Sequence, residues 1–409
     1  MQDPWLPKLT AVVIFLFLSA PSSTVAALLQ VGPDRPYKTV RAASQAAQSG
    51  DTIEVDAGVY SGDVTTWPQN DITVRGVGVG RAHLRADGAQ EGGKGTWVLY
   101  GHNFTAENIE FSGSHVPDQN GAGIRADGGG LLVVRNCYFH DNDEGILGGG
   151  DEVFIEYSVF DHNGFGDGQS HNMYIAEIRK FTLQYSYTHR AIIGHNVKSR
   201  ARENHILYNR IMDEADGTAS YSIDLPQGGR SFVIGNVVEQ GPNTDNATLI
   251  AYAAENANNG VLELYVVNNT MVNNRPSGGL FLQMRAGTTA RIINNVFYGP
   301  GTPWSSGSSV TSASNYFEAD YNNSIAFRNP AAYDFHLTSS SPAGAGGVVN
   351  AGTPPGTSST GVELTPVLQY VYDAQREPRS SSGGIDIGAF ELSIAVGIPP
   401  AAPANVRVR

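Results

Sequence analysis

Residues 194–211 read Gly194-His195-Asn196-Val197-Lys198-Ser199-Arg200-Ala201-Arg202-Glu203-Asn204-His205-Ile206-Leu207-Tyr208-Asn209-Arg210-Ile211, and Tyr221-Ser222-Ile223-Asp224-Leu225 follow before Gly229. The middle of this stretch is a short apolar run, a spacer, an Asn and a further apolar pair, and the same pattern recurs along the chain. Asn108, Asn136, Tyr157, Tyr185, Asn209, Asn236, Asn269 and Asn295 take the equivalent place, at intervals of 28, 21, 28, 24, 27, 33 and 26 residues. Short β-branched strands at such a period cannot bury a face alone, but they can by stacking coil on coil. Asn suits a tight bend because it tolerates left-handed backbone angles, and stacked amides can hydrogen-bond along a solenoid. The expected architecture is all-β, a parallel β-helix. Leucine-rich repeats would need a Leu framework, propeller blades about 40 residues per unit, and a sandwich more two-residue hairpin turns.

Outside this repeat the chain has distinct ends. Residues 1–27 have the form of an export signal: Lys8, the apolar run Leu9–Ala20, then small residues to Ala27. That run is too short to span a bilayer, so a secreted or periplasmic, bacterial location is expected. Residues 28–392 then form one domain, with 28–60 as an N-terminal cap carrying an amphipathic helix over Tyr37–Gln48. Residues 300–392 read as irregular C-terminal coils and a cap, because Gly, Ser, Pro and Thr dominate them. Gly384–Glu391 regains strand character and is expected to dock on the open end, where an unpaired edge would otherwise remain. Residues 393–409, with Pro399, Pro400 and Pro403, read as a mobile end.

With 26 Lys plus Arg against 39 Asp plus Glu, the formal charge is −13, which argues against nucleic acid or an anionic membrane as partner. The single cysteine, Cys137, excludes an internal disulfide framework and reads as buried filler. Against this acidic background, Arg179, Lys180, Arg190, Lys198, Arg200 and Arg202 gather with His189 and His195, a concentration that would focus an anionic ligand.

Side chains alternate faces along a strand, so stacked strands build columns of outward residues about 4.8 Å apart. Aligning Met173–Ile175, Val197–Ser199, Ile223–Leu225, Leu249–Tyr252 and Leu280–Arg285, with Ile175, Val197, Ile223 and Leu225 inward, gives an outward column of Tyr174, Lys198 and Asp224. Tyr252, Gln283 and Arg285 would extend it, and His195, Asn196, Arg200 and Ser222 would flank it. A base, proton donors and a carboxylate then face one extended sugar chain.

The chain resembles the right-handed parallel β-helix superfamily of pectate-lyase-like proteins over nearly all of residues 30–392. More narrowly, Asn196-Val197-Lys198-Ser199 followed by Asn204-His205-Ile206-Leu207-Tyr208-Asn209 is similar to the Lys-Ser…Asn-x-Ile-x-x-Asn stretch of alginate-lyase and chondroitinase-B type polysaccharide lyases. The resemblance implies that Lys198 removes the uronate C5 proton in a β-elimination. Elimination also needs the carboxylate neutralised and a donor for the leaving oxygen. Arg200 or His195 would serve the first need and Tyr174 or His171 the second, with Asn172, Asn196, Asp224, Tyr252, Gln283 and Arg285 as substrate contacts. The chain departs from that pattern at two places. Ile223-Asp224-Leu225-Pro226 stands where the family carries Leu-Arg-His-Gly, so Asp224 replaces an arginine. Ala191, Ile192 and Ile193 stand where acidic calcium ligands would precede the lysine.

The expectation is therefore an exported protein, a monomer, acting on an acidic polysaccharide, with no cofactor or metal predicted and calcium possible although its family ligands are unmatched. A noncatalytic glycan-binding or cell-surface structural solenoid is the alternative class. A C5 epimerase shares the same proton abstraction. A glycoside hydrolase would draw an acid–base pair from Asp213, Glu214, Asp216 and Asp224. Gly194-His195 and Asn243-Thr244-Asp245 resemble polygalacturonase motifs only in reversed order.

Overall fold

The structure is a computed structural model that describes Met1, residues 26–381 and residues 383–392. Most of the expected export signal and the whole of the expected mobile end, 393–409, lie outside the described residues.

Each coil of the solenoid carries three short strands. One coil runs Met173–Ile175, Lys180–Gln184 and Tyr187–His189, and the next runs Val197–Ser199, Glu203–Leu207 and Arg210–Met212. The first strand of each coil joins a sheet of 10 strands, parallel throughout its pairings; the second and third strands belong to a continuous set of 21. The long strands Thr52–Ser61 and Ile72–Arg85 link the two halves of that set at the N-terminal end. Parallel crossovers of L-residues wind right-handed, and the fold is a right-handed parallel β-helix.

Alternation supplies the core. Ile175, Val197, Ile223, Leu225 and Leu282 all turn inward and are buried. Phe111, Phe139 and Phe160 stack in successive coils with centroids 4.9 and 4.7 Å apart, matching the rise between strands. Cys137 is fully buried, and burial pushes its thiol up to about 12, as filler rather than nucleophile.

The Asn pattern splits into two adjacent columns. Left-handed backbone angles fall at Asn108, Asn136, Tyr157, Tyr185, Tyr208, Asn268 and Asn294. Asn209, Asn236, Asn269 and Asn295 sit one residue later in their coils. Their amides form a buried ladder, Asn209 to Asn236, Asn236 to Asn269 and Asn269 to Asn295, each step 3.0 Å. The expectation of a single column therefore merges a bend with the hydrogen-bonded rung beside it.

The ends also differ from expectation. The helix is shorter, Val40–Ala46, with the Thr39 hydroxyl accepting from the Ala42 N–H as its cap. Regular coils persist past residue 300, because Ser309–Ala313 and Tyr316–Glu318 still pair in parallel with the preceding coil. The segment beyond them packs Ile325, Phe327, Phe335, Val348, Ile387 and Phe390 against Met212, Val237, Val272 and Val296. It covers a lateral face. Gly384–Glu391 is not a strand; its backbone meets the side of the solenoid, where Asn268 Nδ2 donates to the Asp386 carbonyl and the Gly388 N–H donates to the Asn294 carbonyl.

Candidate functional site: the Tyr174–Lys198–Asp224 column

The 10-stranded sheet pairs Leu147 with Tyr174, Tyr174 with Lys198, Lys198 with Asp224, Asp224 with Ala251 and Ala251 with Gln283. These residues share the outward register. Local chemistry fixes where the Lys198 strand ends: the Ser199 hydroxyl donates to Asn204 Oδ1 at 2.6 Å and accepts from the Ala201 N–H, while Asn204 Nδ2 donates to the Ala201 carbonyl. The Ser and Asn of the Lys-Ser…Asn stretch thus close the turn that follows the lysine.

Lys198 Nζ lies 4.0 Å from Asp224 Oδ2 and 4.9 Å from the centre of the Tyr174 ring. Only 8% of Lys198 and 3% of Asp224 is exposed, so the column is a covered polar seam rather than an open trough. Burial pushes the Asp224 carboxyl up to about 7, with Lys198 opposing the shift. Arg200 donates from Nε to the Tyr174 hydroxyl at 2.7 Å and grips Glu255 through both terminal nitrogens at 2.8 and 3.1 Å. Because the Tyr174 oxygen accepts from Arg200, its own hydrogen stays available for donation. The loop bearing Glu255 is pinned over the seam by Asn259, whose Nδ2 donates to the carbonyls of Arg200, Ala201 and Gly228.

Two histidines stack beside the column, with rings 4.5 Å apart. His195 Nδ1 accepts from the Tyr221 N–H at 3.3 Å, which leaves the hydrogen on Nε2, 3.4 Å from Asp224 Oδ2. Burial, reinforced by Lys198, pushes His195 down to about 3. It is neutral at physiological pH and cannot supply the positive charge expected of it. His171 Nδ1 accepts from the His195 N–H at 3.0 Å, and burial holds its ring well below the usual imidazole range. His171 is fully buried, so it supports His195 rather than meeting a substrate. Below them Glu144 accepts from the His171 N–H, and burial holds its carboxyl well above the usual range.

Three further expectations are corrected. Asn172 and Asn196 are fully buried in a second ladder: Asn172 Nδ2 donates to Asn196 Oδ1 at 2.9 Å, and Asn196 Nδ2 donates to Asp213 Oδ1 at 3.0 Å. They are spent on architecture and cannot reach a glycan. Tyr252 pairs with Leu225, points inward and donates its hydroxyl to the Gly229 carbonyl at 2.5 Å. Gln283 stays in the outward column, half-buried, whereas Arg285 lies just beyond its strand and is exposed. Asp213, weighed as a hydrolytic acid, is buried with Glu239, whose carboxylate accepts from the Asp213 and Glu214 N–H groups. Glu255 was not legible as a site residue, because it is 55 residues from Arg200 and meets it only through the loop.

A pectate lyase, Pel9A, has a similar structure, with a TM-score of 0.57 at 14% identity, covering 90% of this chain and 98% of that one. The fold is that of a pectate-lyase-like β-helix. An ORF18 protein of Geobacillus virus E2 aligns at a TM-score of 0.38 and 14% identity over 68% of this chain and 58% of that one. No protein-family model matches the chain, and no curated protein sequence matches it. Among the described residues no helix is long and apolar enough to cross a membrane.

Proposed function

We propose that this chain is an exported polysaccharide-active protein that cleaves a uronate-containing glycan by β-elimination, with Lys198 as the base. The observation that carries the reading is the register that sets Lys198 between Tyr174 and Asp224 on the outward face of one sheet, with Arg200 bonded to Tyr174. The export-type sequence of residues 1–27 and the pectate-lyase-like fold support the setting.

Each residue has a chemical task in this reaction. The Arg200 fork, now on Glu255, binds a uronate carboxylate once that carboxylate displaces Glu255, which stabilises the enolate as it forms. Lys198 Nζ, 4.0 Å from Asp224 Oδ2, takes the C5 hydrogen. The electron pair from the C5–H bond forms the C4–C5 double bond, the C4–O bond breaks, and the Tyr174 hydroxyl protonates the leaving oxygen. His195 Nε2 lies 3.4 Å from Asp224 Oδ2, beside the base. A C5 epimerase would share the first step and reprotonate C5 instead.

One observation favours the noncatalytic alternative, a glycan-binding solenoid: Lys198 is nearly covered and already faces a carboxylate. Absorbance at about 235 nm, the band of the unsaturated product, separates the readings on a panel of uronate glycans assayed with calcium and with chelator. The wild type is expected to form product and Lys198→Ala to form none. Activity that survives the substitution removes Lys198 as base. Silence of both proteins, with measurable glycan binding, establishes the noncatalytic class.

A further inference from the structure

A second cluster lies on a different sheet. In three successive coils, His83 of Ile72–Arg85 pairs with Glu110 of Ile109–Ser112, and the next strand, Tyr138–His140, sets His140 against Ser112. One ligand atom from each of His83, Glu110 and His140 lies within 4.8 Å of the others. Glu110 Oε1 stands between the imidazoles, 3.3 Å from His83 Nδ1 and 3.2 Å from His140 Nε2.

The remaining ring nitrogens are already anchored. His83 Nε2 bonds the Ser112 hydroxyl at 2.7 Å, and His140 Nδ1 bonds Asp141 Oδ2 at 2.7 Å. Metal-bound histidines commonly have their second nitrogen held by a carboxylate or another polar partner, which fixes the ring and its tautomer. The Tyr138 ring further restrains His140 by stacking 4.4 Å away. The three side chains keep 18%, 24% and 19% exposure, so an ion has an entry path and a position left for water.

We propose that His83, Glu110 and His140 form a binding site for a divalent ion of the zinc class, with water as the fourth ligand. Two imidazoles and one carboxylate are the donor set of zinc-class ions, whereas calcium takes oxygen ligands only. Bond lengths of about 2.1 Å in tetrahedral geometry need donor atoms ~3.4 Å apart. The two separations at Glu110 are close to that value, and the two imidazole nitrogens lie within 4.8 Å of each other. The ion would tie together three coils near the N-terminal end of the solenoid. It would do so away from Lys198, on another sheet.

The test uses the full chain without a histidine affinity tag, stripped by chelator and titrated calorimetrically with zinc chloride. One equivalent is expected to bind; His83→Ala and His140→Ala should each weaken it at least 100-fold, and Asp141→Asn by about 10-fold. Calcium should give no competing heat. Cobalt(II) should report a four-coordinate spectrum that Glu110→Gln, nearly isosteric and least disruptive to folding, abolishes. Circular dichroism of the stripped variants checks that each is folded. No binding by the wild type, or affinity unchanged in the folded His83→Ala/His140→Ala protein, overturns the proposal and leaves only an imidazole–carboxylate hydrogen-bond network.

Discussion

Asn196→Ala separates an architectural amide from a substrate-binding one. Asn196 Oδ1 accepts from Asn172 Nδ2 at 2.9 Å and from the Ala191 N–H at 3.1 Å, and Nδ2 donates to Asp213 Oδ1 at 3.0 Å. On truncation Asn172 Nδ2 keeps Thr188 Oγ1 and the His189 carbonyl as acceptors, so it is not orphaned. The Ala191 N–H loses its side-chain partner inside the protein, which costs about 1–3 kcal/mol, and Asp213 loses a donor worth about 1 kcal/mol. The expected loss of stability is about 2–4 kcal/mol, read as a lower guanidinium chloride midpoint. A pH signature accompanies it. Burial pushes Asp213 up to about 7, and the bond from Asn196 is the largest influence holding it down. An unfolded aspartate titrates near ~4, so the native state binds the extra proton in between and stability falls as pH rises from ~4 towards 7. Without Asn196 the native carboxyl titrates higher still, so the variant's deficit grows above pH 7. Catalytic KM per folded molecule should not change. An unaltered midpoint together with a KM raised at least 10-fold would refute the ladder assignment and return Asn196 to the substrate surface.

Glu255→Gln should tighten binding of an anionic glycan about 2- to 5-fold in Kd, since a partly exposed pair such as Arg200–Glu255 is worth about 0.5–1 kcal/mol and competes with the ligand carboxylate; weaker binding by calorimetry would exclude Arg200 as the carboxylate contact. In chelator-treated protein, stability should fall by on the order of 2 kcal/mol between pH 7 and 9, because His140, raised to about 9 by Asp141 and Glu110 against burial, and Glu239, raised to about 8 by burial, keep protons there that the unfolded chain has lost. His140→Gln should flatten part of that slope, and a profile rising over the same range would contradict both shifts. Phe139→Ala removes the middle ring of the Phe111–Phe139–Phe160 stack and should cost about 3–5 kcal/mol by chemical denaturation; a loss under about 1 kcal/mol would mean that neighbouring coils close the gap.

Local periodicity by itself determined the solenoid and much of its candidate site. Met173–Ile175, Val197–Ser199 and Ile223–Leu225 alternate clearly, so parity alone put Tyr174, Lys198 and Asp224 on one face, as the pairing has them. Where alternation is missing, parity gave no answer. Thr248–Tyr252 is buried along its whole length, so nothing in the sequence revealed that Tyr252 faces inward. The Asn residues were legible as architectural, but a one-residue offset between bend and ladder is a matter of backbone angles, which the pattern does not encode.

Tertiary structure decided what depends on contacts between distant coils. Coil lengths vary because loops of different size leave the same stacked strands, so sequence spacing cannot say which side chains meet across rungs. Glu255 reaching Arg200, the burial of the His171–His195 pair, the lateral course of the C-terminal segment, and His83 meeting Glu110 and His140 all follow from that registration. Strand parity is a property of neighbouring peptide units, whereas a site is assembled across coils, and only the stacked chain carries that information.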